Sequence, residues 1–594
     1  MAWTTEQQRA IDARGNLIVS AAAGAGKTAV LTERVARLVE QGASMDRMLI
    51  LTFTRAAAGE MKGRIEDRLL LLAREAAGEV QKRLRRQALL CRSAQISTIH
   101  AFCARVVNRH FHMAELSPGV TTLDETESAV EQAAAEALLL FAREKEETYQ
   151  TLLRAFDREE KVLEGLLKLH GFLCAQPDRE RWLAQTRESL FSGEALQKAG
   201  ELCMQEGKRR LHLVAKDLQE YLPLIDCQYG KVIAYMQGVL ESTERALAAA
   251  DFYAYTDALE QIPFGVLRFP KTIEAEEKNR IVELRDRLKK CVNDQILLFF
   301  RDREQEQAVQ NQSAKGLQAL FDLWEAFDRA YTQKKKDRDR IDFNDQEHYC
   351  ARILSDERVA REYRERFDYI IVDEYQDSNR VQEAILQRIC REDNLFFVGD
   401  VKQSIYGFRM AEPGLFLEKL SSFTGAAGQR VDLNCNFRSS QAVLDAVNSV
   451  FEKLMGPGMG DILYDETAAL KPGRSQPEGL AELHLIEGED DPQGEPLDSP
   501  EAEARFCAEK IRSIMEEERL CLPGGDERPY AYSDFVILLR STGQARVFAR
   551  TLALCGVPCY AQLTGGYFES IEVAVFLNLL RIIDNRRQDI PLLS

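Results

Sequence analysis

The chain has 594 residues, 45% hydrophobic and 29% charged, a composition that fits a globular, water-soluble polypeptide of about three to five domains by length. No stretch approaches the roughly 20 uninterrupted apolar residues of a membrane span, and Met1 to Gln8 carry no basic and apolar leader, so a cytoplasmic location without membrane contact is expected. A formal net charge of −17 excludes a uniformly basic coat for nucleic acid, so any contact with a polyanion must be local.

Residues 15 to 115 alternate short apolar runs with helical patterns: Asn16 to Ala21 (NLIVSA), a helix from Lys27, Met48 to Phe53 (MLILTF), then another helix. That rhythm is the signature of an α/β parallel sheet with crossover helices. From about Thr122 to Arg340 the texture becomes rich in Leu, Ala, Glu and Arg, which implies a helical insertion. Strand signals return at Tyr369 to Val372 (YIIV) and Leu395 to Val398 (LFFV), so the first sheet resumes and its domain is discontinuous. Lys471 to Glu503 concentrate Pro, Gly, Asp and Glu, as an exposed acidic loop does, and Asp534 to Leu539 (DFVILL) has the pattern of a strand. The expected domains are 1–121 and 341–430 around an insertion at 122–340, then 431–594 with the acidic loop at about 471–503. The basic runs Lys82 to Arg86 and Lys334 to Arg340 are expected to be solvated helix faces. Thirteen cysteines without a Cys-x-x-Cys pair suggest reduced, mostly buried thiols rather than disulfides or a zinc site.

Ala21 to Thr28 (AAAGAGKT) lies between an apolar strand and a helix and has the pattern of a phosphate-binding loop, with Ala21 where the first glycine usually stands. Small residues at Ala21, Ala22, Ala23, Gly24, Ala25 and Gly26 let backbone N–H groups wrap phosphates. Lys27 reaches the terminal phosphates, and the Thr28 hydroxyl can ligate magnesium at the helix N-terminus. Phe367 to Asp377 (FDYIIVDEYQD) delivers two adjacent carboxylates at a strand end, where ligand sites of such sheets belong. Asp373 is the candidate magnesium ligand and Glu374 the candidate base for an attacking water. Phe397 to Ala411 (FVGDVKQSIYGFRMA) sets Gln403, a candidate γ-phosphate sensor, beside Tyr406 and Phe408, whose faces can stack on bases; core packing is the competing account of these aromatics. In Leu433 to Ser440 (LNCNFRSS), Arg438 is a candidate arginine finger and Phe437 a candidate platform for adenine. A metabolic P-loop kinase would need an acceptor pocket, which the aromatic platform beside Gln403 does not resemble.

The order of these motifs resembles the superfamily 1 DNA helicases of the UvrD and PcrA type over the whole chain. Thr5 to Ile11 (TEQQRAI) resembles their Q motif, with Gln7 in the adenine-reading place. Leu51 to Ile65 and Ile96 to Cys103 (ISTIHAFC) resemble motifs Ia and Ib, which places Phe53 and His100 with Tyr406 and Phe408 on the path of a DNA strand. Ile341 to Asp345 (IDFND) precedes motif II as in that family, and Phe408 stands where many relatives have Trp. The resemblance implies a RecA-like sheet domain interrupted by helices, a second RecA-like domain that is only begun, and ATP and Mg²⁺ as cofactors. It also implies 3′ to 5′ movement on single-stranded DNA and unwinding of duplex ends. Trp3 to Gln7, the alanine-rich loop and the closing LLRIIDNRRQDIPL are most similar to the AddA branch of helicase–nuclease subunits, which implies double-strand-break resection beside an AddB-like subunit. No segment resembles motif V, motif VI or the nuclease cluster of that branch, so an N-terminal part, poorly active alone, is expected. The alternative is a DNA- and nucleotide-binding module without turnover.

Overall fold

The computed structural model describes residues 3–122, 127–190, 193–298, 303–425, 427–456, 462–473, 479–486, 499–522, 526–561 and 571–585. They form two compact units, Met1–Asn436 with Phe451–Leu470, and Phe437–Val450 with Lys471–Ser594.

In the first unit the strands are, in chain order, β1 (Leu17–Ala21), β2 (Met48–Thr52), β3 (Gln95–Thr98), β4 (Thr121–Thr122), β5 (Arg340–Ile341), β6 (Tyr369–Val372), β7 (Leu395–Gly399), β8 (Gln429–Leu433) and the two-residue β9 (Cys435–Asn436). Six of them make a parallel sheet in the order β3-β2-β6-β7-β1-β8. Both faces are covered, so the four central strands are apolar at nearly every position and successive side chains go to opposite cores. Leu17, Val19, Ile50, Ile371, Phe396 and Val398 enter one core; Ile18, Leu49, Leu51, Ile370, Val372 and Phe397 enter the other. Each such side chain contributes about 1.5–3 kcal/mol of burial. The strand Gln429–Leu433 crosses the boundary expected at 430/431. It pairs with β1 from Leu17↔Gln429 to Ala21↔Leu433, because the open edge of β1 needs a hydrogen-bonding neighbour.

The second unit contains the helices Ser499–Glu517, Ala545–Leu554 and Ile571–Asp584, and an antiparallel ladder between Arg519–Cys521 and Glu527–Pro529. The expected acidic loop gives way to helix at Ser499, and residues 474–478 and 487–498 of it lie outside the described residues. The strand expected at Asp534 to Leu539 is not formed. Tyr532–Asp534 make a 3₁₀ turn, and the run that follows has no ladder partner among the described residues. Phe535 and Ile537 pack on the small core of Ala508, Ile511, Leu552 and Val557, while Val536 and Leu538 are 80% and 90% exposed. The second parallel sheet expected from 431 onward is therefore not found among the described residues of this unit.

Between β4 and β5 the described chain of the first unit is helical. The helices Glu127–Glu144, Glu159–Cys174 and Arg303–Lys336 share a core around Leu320, Trp324 and Phe327, and Gly193–Tyr221, Gly230–Leu247 and Ala275–Leu298 share another around Leu218, Met236 and Leu288. The two ends of this segment meet at one neck, where Thr121 and Thr122 pair in parallel with Arg340 and Ile341. Lys335, expected on a solvated basic face, is buried there, 2.7 Å from Asp342 and 2.6 Å from Asp345. Its charge is needed because both carboxylates are enclosed. Lys334 pairs with Glu136 at 3.1 Å, and Lys82 with Glu79 at 2.8 Å. The thiols are unpaired, but only Cys91, Cys103, Cys174 and Cys350 are buried, and Cys203, Cys227, Cys521 and Cys559 are exposed. No described helix is long and apolar enough to cross a membrane.

Near the neck His170 lies edge-on to Phe327 and Tyr331, with centroids 5.0 and 6.2 Å away, and burial lowers its pKa to about 4. A lowered base is neutral in the fold while the unfolded chain takes a proton, so stability is complete above pH 6.5 and is lost as pH falls towards 4. The expected loss is about 3 kcal/mol. Urea unfolding at pH 7, 5.5 and 4 should show His170→Leu losing less stability than the parent by that order.

Candidate nucleotide site

The phosphate-loop, acid-pair and Gln403 motifs of the first unit sit at the carboxyl ends of β1, β6 and β7, the edge where such sheets bind ligands. β1 ends at Ala21, which is buried in the core, and runs into the loop Ala22 to Gly26. The Ala22 N–H donates to Leu433 O (2.9 Å) and the Ala25 N–H closes a turn on Ala22 O (3.1 Å). Gly24 and Gly26 take φ of +70° and +79°, which favour glycine, and a Cβ on Gly24 would fall 2.6 Å from Asn436 Nδ2. The α2 helix (Lys27–Glu40) starts directly after the loop, pointing its free N–H groups and positive end at the cradle.

Two side chains brace this loop from outside. Gln7, buried in α1 (Thr5–Asp12), donates from Nε2 to Ala25 O (3.0 Å) while its Oε1 accepts the Thr4 N–H in a capping box. Asn436, at the end of the strand-like pair following β8, donates from Nδ2 to Ala23 O (2.7 Å). Arg34 of α2 fixes α1 in turn. Its Nη1 donates to Ala10 O and Ile11 O at 2.9 and 3.1 Å, its guanidinium lies 4.8 Å from the Phe396 ring centre, and burial lowers its pKa to about 10.

The acids come from β6. Asp373 follows the strand directly, its N–H donating to Leu51 O (2.9 Å), and Glu374 holds φ at +54°, an uncommon left-handed conformation for a side-chain-bearing residue. That turn brings Glu374 Oε2 to 2.5 Å from Lys27 Nζ. Burial and the neighbouring Glu374 carboxylate push Asp373 up to about 6, and the same two causes push Asp377 up to about 6. Asp377 Oδ1 is buried with no hydrogen-bond partner.

β7 ends at Gly399 and is followed by Asp400, whose carboxylate accepts from Gln403 Nε2 (2.8 Å) and from Lys402 Nζ (2.9 Å). Beyond it the chain turns outward. Tyr406 stacks at a tilt on Phe53 with centroids 4.3 Å apart, and Phe408 lies 5.7 Å from Tyr406. Phe408 is 74% exposed and Ile405 72%, so core packing does not explain this segment. Arg409 lies 5.8 Å from both the Tyr406 and the Phe408 ring centres.

His100 does not join that group. Its Nε2 lies 3.2 Å from Glu347 Oε1 and its ring meets Phe343 edge-on. Glu347, buried in the helix Phe343–Ile353, also accepts from Asn379 (3.1 Å) and Gln382 (2.8 Å). Burial opposes its charge, yet His100 and these amides keep its carboxyl below the ordinary range. Phe437 and Arg438 belong to the second unit, where the Phe437 ring lies close to Gly473.

Sequence reasoning passed over Asn436, Gln376 and Arg34. Arg34 had a signal: it shares a helix face with Val30, Leu31 and Val35, so a charge falls where burial is expected.

These residues fit a magnesium nucleotide. Lysine, threonine, cradle and helix N-terminus can take phosphates, and the crowded carboxylates Asp373, Glu374 and Asp377 form a negative pocket that a divalent cation would relieve. No ready-made cage of three or more His, Cys, Asp or Glu occurs among the described residues. This suits an ion that keeps waters and binds through one or two carboxylates plus phosphate.

The family model described as the UvrD/REP helicase N-terminal domain matches residues 3–424, and the UvrD-like helicase C-terminal domain matches residues 431–594. The chain is 41% identical over 625 residues to an ATP-dependent helicase/nuclease subunit of Alkaliphilus oremlandii, covering 100% of this chain and 52% of that one. The proteins of the same name from Syntrophomonas wolfei and Geobacillus thermodenitrificans are 38% and 36% identical, with 100% and 99% of this chain covered and 53% and 51% of theirs. The chain thus spans about half the length of these curated relatives. A parallel sheet carrying Lys27, Asp373 and Glu374 on one edge, with both family models matched along the chain, identifies it as a member of the UvrD-like helicase family.

Proposed function

We propose that this chain is the motor part of an ATP-dependent DNA helicase that moves 3′ to 5′ along one strand. It would serve a helicase–nuclease for double-strand-break resection and recombinational repair, beside an AddB-like subunit. One observation carries the motor reading: the Lys27–Glu374 pair, 2.5 Å apart, shares a sheet edge with the stack of half-buried Phe53 and Tyr406 and exposed Phe408. The relatives' name supports the helicase–nuclease setting, and the polarity rests on family resemblance.

Gln7 reads adenine from beside the cradle. Lys27 turns from Glu374 to the terminal phosphates, whose charge competes for its ammonium, and Glu374 is then free to accept a proton from water. Thr28 and Asp373 hold magnesium, which when bound supplies positive charge to the phosphate oxygens. Gln403 senses the γ-phosphate. Phe53, Tyr406 and Phe408 stack on bases, with His100 next along the strand. DNA-stimulated ATP hydrolysis, measured with a dT oligomer and magnesium on this chain and on a longer chain of the relatives' full length, tests the reading; binding of both ligands without turnover in either would instead favour a binding module.

Two outcomes are expected. Lys27→Ala should weaken nucleotide binding, whereas Glu374→Gln should bind ATP and lower turnover by about 100-fold, the order of losing one charge-stabilising or proton-accepting group. Steady-state kinetics that leave either variant within about tenfold of the parent rate, about 1.4 kcal/mol of barrier, would count against these roles. Phe408→Ala should cost about 1–3 kcal/mol of DNA affinity by fluorescence anisotropy. Its thermal unfolding should be unchanged, because the ring is 74% exposed.

A further inference from the structure

We infer that Gln376 is a positioning residue that ties the carboxylate of Glu374 to the segment bearing Gln403 and Tyr406, so that strand contact is felt at the hydrolytic base. The inference rests on the function proposed above and names the group through which its two sites communicate.

Gln376 is 1% exposed and uses both ends of its amide. Oε1 accepts the Asp400 N–H at 3.0 Å, and Nε2 donates to Glu374 Oε2 at 2.9 Å. The orientation is fixed by chemistry: a backbone N–H can only donate, so the amide oxygen must face Asp400 and the NH₂ group must face the carboxylate. Its backbone carbonyl accepts from Ser404 Oγ (3.3 Å), two residues before Tyr406. Asp400 in turn holds the Gln403 amide. One side chain therefore touches the carboxylate, the start of the loop and, through its own backbone, the approach to the aromatic stack.

Two further contacts make the link stiff. Gly399 faces it so closely that a Cβ there would lie 2.3 Å from Gln376 Oε1 and 3.0 Å from Phe416 Cε2. The far end of the loop is tied to the same acidic turn by the Glu412 N–H to Ser378 O (2.9 Å) and the Arg380–Glu412 pair (2.8 Å). A displacement of the loop when bases stack on Tyr406 and Phe408 thus moves the Asp400 N–H and, with it, the amide on Glu374. Lys27 and Gln376 share the same oxygen, Oε2. When Lys27 turns to phosphate, Gln376 remains to aim the carboxylate.

The test compares Gln376→Met, which keeps size and loses the side-chain hydrogen bonds to Asp400, Glu374 and Asp377, and Gly399→Ala, which pushes the amide aside. Turnover of the full chain is measured with and without a dT oligomer, beside dT affinity and KM for ATP. Both variants should lose stimulation by DNA at least about fivefold while dT affinity and KM stay within about twofold. Unchanged stimulation in Gln376→Met, or an equal fall with and without DNA as mere structural support would give, overturns the link. If the parent chain does not turn over, the link is read from binding alone: a non-hydrolysable ATP analogue should change dT affinity in the parent and not in Gln376→Met. Equal coupling in both, or none in the parent, overturns it.

Discussion

The ion pair between Lys27 and Glu374 depends on the whole sheet being in register. The two residues leave β1 and β6, which are not neighbours: β7 lies between them, pairing Ile18 with Phe397 on one side and Val372 with Phe397 on the other. A shift of either ladder by one residue would carry the lysine or the acid about 3.3 Å along its strand and reverse the faces of every side chain after it. The apolar residues of both cores prevent that shift, since each face is filled separately. Packing of Ile18, Phe397 and Val372 is thus the remote cause of a polar contact at the sheet edge.

At that edge the chain accepts local strain. Glu374 is left-handed without being glycine, the loop needs Gly24 and Gly26 at positive φ, and Asp373 and Asp377 are held where ionisation is opposed. Such positions persist only when their surroundings fix them. Here Gln7 and Asn436 hold the loop, Gln376 holds the acidic turn, and Arg34 holds the helix that carries Gln7. The groups that brace the loop and the turn are neutral amides, which add no competing charge at the phosphate cradle.

Much of this was legible because it is local. The strand at Tyr369–Val372 lies where the apolar run places it, and the loop and the acid pair announce themselves by residue type and by the strand before them. What was not legible depends on partners distant in sequence. Lys335 looks like part of a solvated basic run, but Asp342 and Asp345 draw it inward. His100 gives no sign in sequence of its pairing with Glu347, which comes from more than two hundred residues away. The run Phe535 to Leu539 has every property of a strand except a neighbour, and strand formation is a property of pairs. Gln376 is one glutamine among many until its amide is seen between Glu374 and Asp400.

The acidity of the chain bears on how it could hold a polyanion. A net charge of −17 repels DNA at long range, but salt screens exposed charges beyond about 8 Å at physiological ionic strength. What counts is therefore the surface in contact. On the proposed reading that surface is mostly π-faces, Phe53, Tyr406 and Phe408, with Arg409 close to two of them. Stacking accepts any base, so such a grip carries no sequence preference. A grip of that kind holds at short range and lets go when the rings move by an ångström or two, which suits a surface that must release one base and take the next. Because Tyr406 follows Ser404 and Asp400 in the same loop, such a movement cannot occur without disturbing the contacts made by Gln376.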